Sequence, residues 1–209
     1  EDLIVRTELL KPRSIELTKT KSVDLSSLLN PINLNKDRSW LKHKETAHEN
    51  GNILEDVLLK DNKFMESIDN QSSSTKELKI VNTDRSVCAR ISGEIAARYG
   101  NKGFKGNINL IFRGSAGQSF GAFILNGMNI RLIGEANDYV GKGIHGGCIT
   151  VIPPVTDKNS GKQVIIGNTC LYGGTGGELY ALGKAGERFG VRNSGTKAVI
   201  EGSGDHCCE

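Results

Sequence analysis

Apolar and β-branched residues in the second half of the chain come in short runs. They are INLIF at 108–112, MNIRLI at 128–133, CITVI at 148–152, QVII at 163–166 and KAVI at 197–200. Glycine clusters separate them, and runs of this length bounded by glycine predict strands. The first half has another rhythm. Ile53, Leu54, Val57 and Leu58 share one helical face, and Phe64, Met65 and Ile68 fit a second short helix. QSSST at 71–75 predicts a loop and ELKIV at 77–81 a strand. From Arg85 to Tyr99, Val87, Ile91 and Ile95 recur at every fourth position, with Asp84 placed to cap a helix and Gly100 to stop it. Before these, LKPRSIELTKT at 10–20 reads as extended, and residues 31–50 as a solvated connector.

The same half repeats itself. A shift of 20 residues lays Leu110 on Ile130, Phe112 on Leu132, Gly114 on Gly134 and Ala116 on Ala136. It also lays Phe120 on Val140, Gly121 on Gly141 and Gly127 on Gly147. A shift of 69 residues lays Gly114-Ser-Ala-Gly-Gln-Ser-Phe-Gly121 on Gly183-Lys-Ala-Gly-Glu-Arg-Phe-Gly190. Gly167–Gly174 is a looser copy, and PPVTDKNSGK at 153–162 interrupts the rhythm as an exposed loop. A period near 20 with short strands and glycine turns predicts a glycine-rich β-solenoid of parallel stacked coils. A leucine-rich repeat shares the period but not the leucine–asparagine signature.

Glycine sharpens the boundary. Of 26 glycines, Gly51 and Gly93 alone precede residue 100. Two parts are expected: 1–83 as connector and short helices, and 84–209 as the β-helix. With 209 residues and 37% hydrophobic positions the chain can bury a core. A net charge of +3 is too mild for a nucleic-acid binder, and no apolar run approaches a membrane span. Cys88, Cys148, Cys170, Cys207 and Cys208 form no C-x-x-C pair and read as reduced thiols.

Several motifs imitate chemistry. Gly141-Lys-Gly-Ile-His-Gly146 spells G-x-G-x-x-G, but a strand follows it and no acid stands where a ribose-binding carboxylate would. Lys184 follows Gly183, but Glu178 stands where a P-loop needs glycine. His145 and His206 show no acid–base partner. Glu135, Asp138 and Asp205 suit turn caps. Asn107, Asn109, Asn126, Asn129, Asn137, Asn168 and Asn193 suit internal stacks or turns. Arg131, Arg188 and Arg192 suit structural ion pairs. No catalytic, cofactor-binding or metal residue is assigned.

GSAGQSFGAF, GMNIRLIGEANDYVGKGIHGG, IIGNTCLYGGTGGELYALGKAGERFGVRNSG and VIEGSGDHCCE resemble the C-terminal glycine-repeat domain of the glutamate synthase large-chain family. DRSVCARISGEIAARYG is similar to the helix leading into that domain, and DLIVRTELL to the tail of the preceding flavin-binding barrel. Residues 30–80 resemble the family only loosely. The resemblance implies a mainly β fold, a right-handed single-stranded β-helix, that scaffolds an N-terminal glutaminase domain and a barrel holding FMN and a [3Fe-4S] cluster. The whole enzyme would make L-glutamate from L-glutamine and 2-oxoglutarate, and this segment alone would be inactive and bind neither cofactor. The wording is closer to the ferredoxin-dependent branch of algae, plants and cyanobacteria, which implies ferredoxin as partner and the plastid stroma as compartment (a bacterial cytoplasm is the alternative). Glu1 and Glu209 read as internal points of a longer chain. The rival readings are a free-standing solenoid interaction module and the glycine-repeat subunit of formylmethanofuran dehydrogenase.

Overall fold

Asp61 shows how the helical part begins. Its carboxylate accepts the backbone N–H groups of Lys63 (3.0 Å) and Phe64 (3.3 Å), a cap worth about 1 kcal/mol. The structure, a computed structural model, describes residues 51–154 and 161–209 together with residues 9 and 24. The expected extended stretch at 10–20, the connector at 31–50 and the tip of the 153–162 loop lie outside them. The described core belongs to one compact unit, Asn50–Glu209.

A single turn, α1 (Asp56–Leu59), buries Leu58, and α2 (Asn62–Asp69) buries Phe64 and Ile68. The strand β1 (Ser73–Ile80) then starts inside the segment expected to be a loop. The reason is tertiary: Ser73, Ser74 and Thr75 pair in register with Asn107, Ile108 and Asn109 of β2 (Asn107–Ala116). Serine and threonine make poor core but fit an edge strand whose backbone is paired.

The helix α3 (Ala89–Tyr99) ends on Gly100 as expected, but it starts later than the Arg85 that the apolar spacing predicts. Asp84 does not cap it; its carboxylate accepts from the Val81 N–H (2.9 Å) and closes the turn after β1. Residues 84–87 are claimed by hydrogen bonds to the next level. Gly117 donates to the Asp84 carbonyl, Ser86 donates to Gln118, and Gly121 donates to Val87. The N-terminus of α3 is met instead by Glu55, whose Oε1 accepts from the Ile91 N–H (3.2 Å).

The remaining strands among the described residues are parallel: β3 (Met128–Ala136), β4 (Cys148–Ile152), β5 (Val164–Ile166), β6 (Glu178–Ala185) and β7 (Lys197–Gly202). They complete one seven-stranded sheet in the order β1-β2-β3-β4-β6-β5, with β7 on β6 and β5 also touching β3. The repeat shift seen in the sequence is the strand register itself. Leu110 opposes Ile130, Phe112 opposes Leu132, Gly114 opposes Gly134 and Ala116 opposes Ala136. Alternation sends Ile108, Leu110 and Phe112 inward, followed by Ile130, Leu132, Ile149, Val151 and Leu179 on the next strands. Each such side chain contributes about 1.5–3 kcal/mol by burial. Phe112 meets Phe120 edge-on at 5.4 Å.

The turns after the strands stack as regularly as the strands do. Ser119 donates to Asp138, Tyr139 to Asn168, Thr169 to Glu187 and Arg188 to Asp205, backbone to backbone. Two residues on, Gly141 donates to Phe120, Leu171 to Val140 and Gly190 to Cys170. The interruption is equally regular. Along the whole of β4 the register with β3 is the ordinary one, from Asn129 opposite Cys148 to Ile133 opposite Ile152. At the end of β3 it has jumped, with Ala136 opposite Ile166 of β5. The jump is the insertion, and β4 and β5 are the two halves of one level. The row then continues as if nothing had been inserted.

Candidate functional site

The outer face of this sheet carries the candidate site. Along one row Lys79 opposes Arg113, Arg113 opposes Ile133 and Ile133 opposes Ile152. Beside it Ser115 opposes Glu135, and the Ser115 hydroxyl donates to the Glu135 carboxylate (3.2 Å). A cavity of about 620 Å³ lies over these rows, within the usual size range of binding pockets. Gly114, Ile133, Gly134 and Leu182 line it from the sheet, together with Pro153 and Pro154 after β4 and Gly161, Gln163, Val164 and Ile165 around the start of β5. Val164 and Leu182 are 59% and 44% exposed, so apolar surface faces solvent here. Arg113 is held by Glu77 across the strands.

A second cavity of about 320 Å³ lies beside the start of α3, lined by residues 52–55, 83–87, Ala89 and Arg90. Glu55 is buried at its edge. Burial pushes this carboxyl above its ordinary value, opposed by the Ile91 N–H and the Arg90 guanidinium.

The residues weighed in the sequence fall into structural places. Gly141–Gly146 forms a turn stacked between levels: the Gly143 N–H donates to Tyr172 and the His145 N–H to Ile124. The His145 ring contacts the Thr175 hydroxyl (2.7 Å). His206 meets the Glu209 carboxylate (2.8 Å), which raises its pKa. Asp138 accepts from the Asn168 N–H (2.7 Å) and Asn168 from the Glu187 N–H (2.8 Å), so both tie neighbouring turns. Asn193 accepts from Thr196 (2.9 Å). The asparagine stack exists but lies on the exposed face: the Asn129 amide donates to Asn107 (2.7 Å) and Asn109 (3.3 Å). Lys184 lies on β6 with its N–H donating to Gln163.

The cysteines are dispersed. Cys88 and Cys170 are buried, and burial pushes their thiols up, Cys170 to about 12. Cys207 and Cys208 are exposed with sulfurs 3.4 Å apart. Among the described residues no three His, Cys, Asp or Glu side chains group as metal ligands. This donor set does not fit an iron–sulfur cluster, which needs several thiolates converging on one point. No helix among them is long and apolar enough to cross a membrane. Neither the outer cavity nor the buried Glu55 was legible in the sequence. The paired prolines at 153–154 were the one local signal, and the Lys79–Arg113 neighbourhood needs the strand register.

A family model described as the GXGXG motif matches residues 55–209. Ferredoxin-dependent glutamate synthase 2 of Synechocystis sp. is 57% identical over 211 residues, covering all of this chain and 14% of that protein. The chloroplastic ferredoxin-dependent glutamate synthase 2 of Arabidopsis thaliana is 54% identical over 210 residues, again over the whole chain and 13% of the relative. Ferredoxin-dependent glutamate synthase of Antithamnion sp. is 54% identical over 211 residues, all of this chain and 14% of the relative. The chain thus spans about one seventh of the curated relatives it matches.

Proposed function

The chain belongs to the GXGXG motif family, and we propose that it is the C-terminal scaffold segment of a ferredoxin-dependent glutamate synthase. The whole enzyme makes L-glutamate from L-glutamine and 2-oxoglutarate. One observation carries this reading: identity of 57% runs along the entire chain yet accounts for 14% of the relative. The segment is a right-handed β-helix whose first level is β1, ahead of the boundary at residue 84 that the glycine distribution suggests. Parallel pairing at a nearly constant register, and turns bonded level to level, support the winding. Parallel connections within one sheet are right-handed in nearly all cases, which supports the hand.

The remainder of the polypeptide supplies the glutaminase domain, the FMN barrel and the [3Fe-4S] cluster, and ferredoxin delivers electrons there. Cys88, Cys148, Cys170, Cys207 and Cys208 take no part in that chemistry. What this chain contributes is rigidity. Its levels are tied both through the strands and through the turns, so a domain resting on it is fixed in two directions. Catalysis falls sharply when reacting groups are slightly misplaced. The plastid stroma is the compartment; the chloroplastic name of the Arabidopsis relative supports a plastid.

The test has two parts. The native polypeptide is weighed intact and assayed for flavin and iron; a mass several times 22.6 kDa with both cofactors is expected. Residues 1–209 purified alone are then given glutamine, 2-oxoglutarate and reduced ferredoxin. Glutamate formed by that fragment, or a native mass no greater than the fragment's own, overturns the reading.

A further inference from the structure

The outer-face cavity has a shape that the scaffold role does not explain. Its lining comes from β1 (Lys79), β2 (Arg113, Ser115), β3 (Ile133, Glu135), β5 (Val164) and β6 (Leu182). These strands span five neighbouring levels of one sheet. At about 4.8 Å per level the floor extends about 19 Å across the strands. That is a trough, longer than a small metabolite and as long as about five or six extended residues.

Its chemistry is graded. The end made by Leu182, Val164, Ile165, Pro153 and Pro154 is apolar. At the other end Lys79 and Arg113 stand directly opposite each other on adjacent strands. Like charges so placed repel. Glu77 answers Arg113, and Glu135 is turned to the Ser115 hydroxyl. Lys79 makes no ion pair among the described residues, so an anion laid at this end pairs with it, while apolar groups at the other end cover surface that now faces water. Some six sevenths of the related proteins' length lies outside this chain and is available to supply such a group.

We propose that this trough seats a short apolar segment carrying a carboxylate side chain, supplied by the remainder of the same polypeptide. The site is therefore the docking point of the scaffold's sheet face, bordered by Pro153, Pro154 and Gly161. The proposal rests on the reading that the chain is part of a larger enzyme.

The test uses the full-length holoenzyme with Leu182→p-benzoylphenylalanine. Irradiation and peptide mass spectrometry identify the partner. The expected product is one intramolecular cross-link to a peptide that lies outside this chain's sequence and contains Asp or Glu. Adding Lys79→Glu with Arg113→Glu lowers its yield at least fivefold, while Lys79→Arg leaves it unchanged. Cross-links confined to this chain's own sequence, to a second copy, or absent altogether overturn the proposal. Should the Leu182 variant fail to fold, Val164→p-benzoylphenylalanine repeats the experiment from the adjacent strand. A native polypeptide no heavier than this chain defeats the parent reading, whereas a large enzyme without the cross-link defeats the trough alone.

Discussion

A Cβ atom at Gly134 would collide with the Gly114 carbonyl oxygen, and one at Gly114 with the Ile80 carbonyl. Gly134 also holds φ at +150°, a conformation other residues rarely adopt. Gly134→Ala is expected to lose roughly 2–4 kcal/mol in urea denaturation, from strain and backbone collision together. Gly93 is the opposite case: it sits within α3, with nothing within 4 Å of an added Cβ. Gly93→Ala should gain about 0.5–1 kcal/mol, and equal effects at the two positions would show that helix propensity and stacking are not what separates them. Glu55 gives a pH dependence. Its folded pKa is raised, so its stabilising contribution is full below the ordinary carboxyl value and is lost as pH rises through the folded value. Glu55→Gln keeps an acceptor for the Ile91 N–H and should flatten that slope; Glu55→Ala should cost about 1–3 kcal/mol by orphaning a buried donor. Melting temperatures of both variants, followed from acid to neutral pH, check this. The thiols order themselves by burial: iodoacetamide under mildly alkaline conditions should label Cys207 and Cys208 first, and Cys88 and Cys170 only after unfolding. Early labelling of Cys170, read by mass spectrometry, would contradict its burial.

At the scale of elements, the insertion between β4 and β5 is expected to be removable without loss of the fold. Removing residues 153–163 joins Ile152 to Val164 and restores the register that Ile133 and Ile152 already have. A single cooperative transition within about 2 kcal/mol of the parent is expected, since closing a short excursion costs little chain entropy. A broad transition in circular dichroism would mean that the insertion holds the level together. The late start of α3 belongs to this scale too. Asp84 before an apolar periodicity is a sound capping signal, and the helix is real. Residues 84–87 are nevertheless drawn into the turn ladder, where they accept from Gly117 and Gly121 and Ser86 donates to Gln118. A local cap competes for one backbone donor; the ladder satisfies three groups at once. The strand at Ser73–Thr75 has no local signature for the same reason, because its pairing partner, Asn107–Asn109, comes only after α3 in the chain.

For the whole molecule, stability should be greatest where the pairing is longest. β2 and β3 pair without a break from Ile108↔Met128 through Ala116↔Ala136, and each has partners on both sides. Their amides should exchange slowest in native-state hydrogen exchange, and those of the outlying Lys197–Gly202 strand soonest; the reverse order would deny that the stack is held from its middle. Strands β2, β3, β4, β5 and β7 and the β2–β3 register follow from the residue string without any coordinates, because each level must match the one beneath it and the match is written as a repeat; β6 (Glu178–Ala185) lies in none of the expected runs. The same string predicts a turn at Gly141–Gly146, and a turn stacked between levels is found there. Where α3 begins, what meets its N-terminus, and the sharing of one trough by Lys79, Arg113, Ile133 and Leu182 were settled only on folding. Those facts depend on contacts between residues far apart in the chain, made when levels stack, and no local pattern of apolar and polar positions records which outward-facing side chains become neighbours.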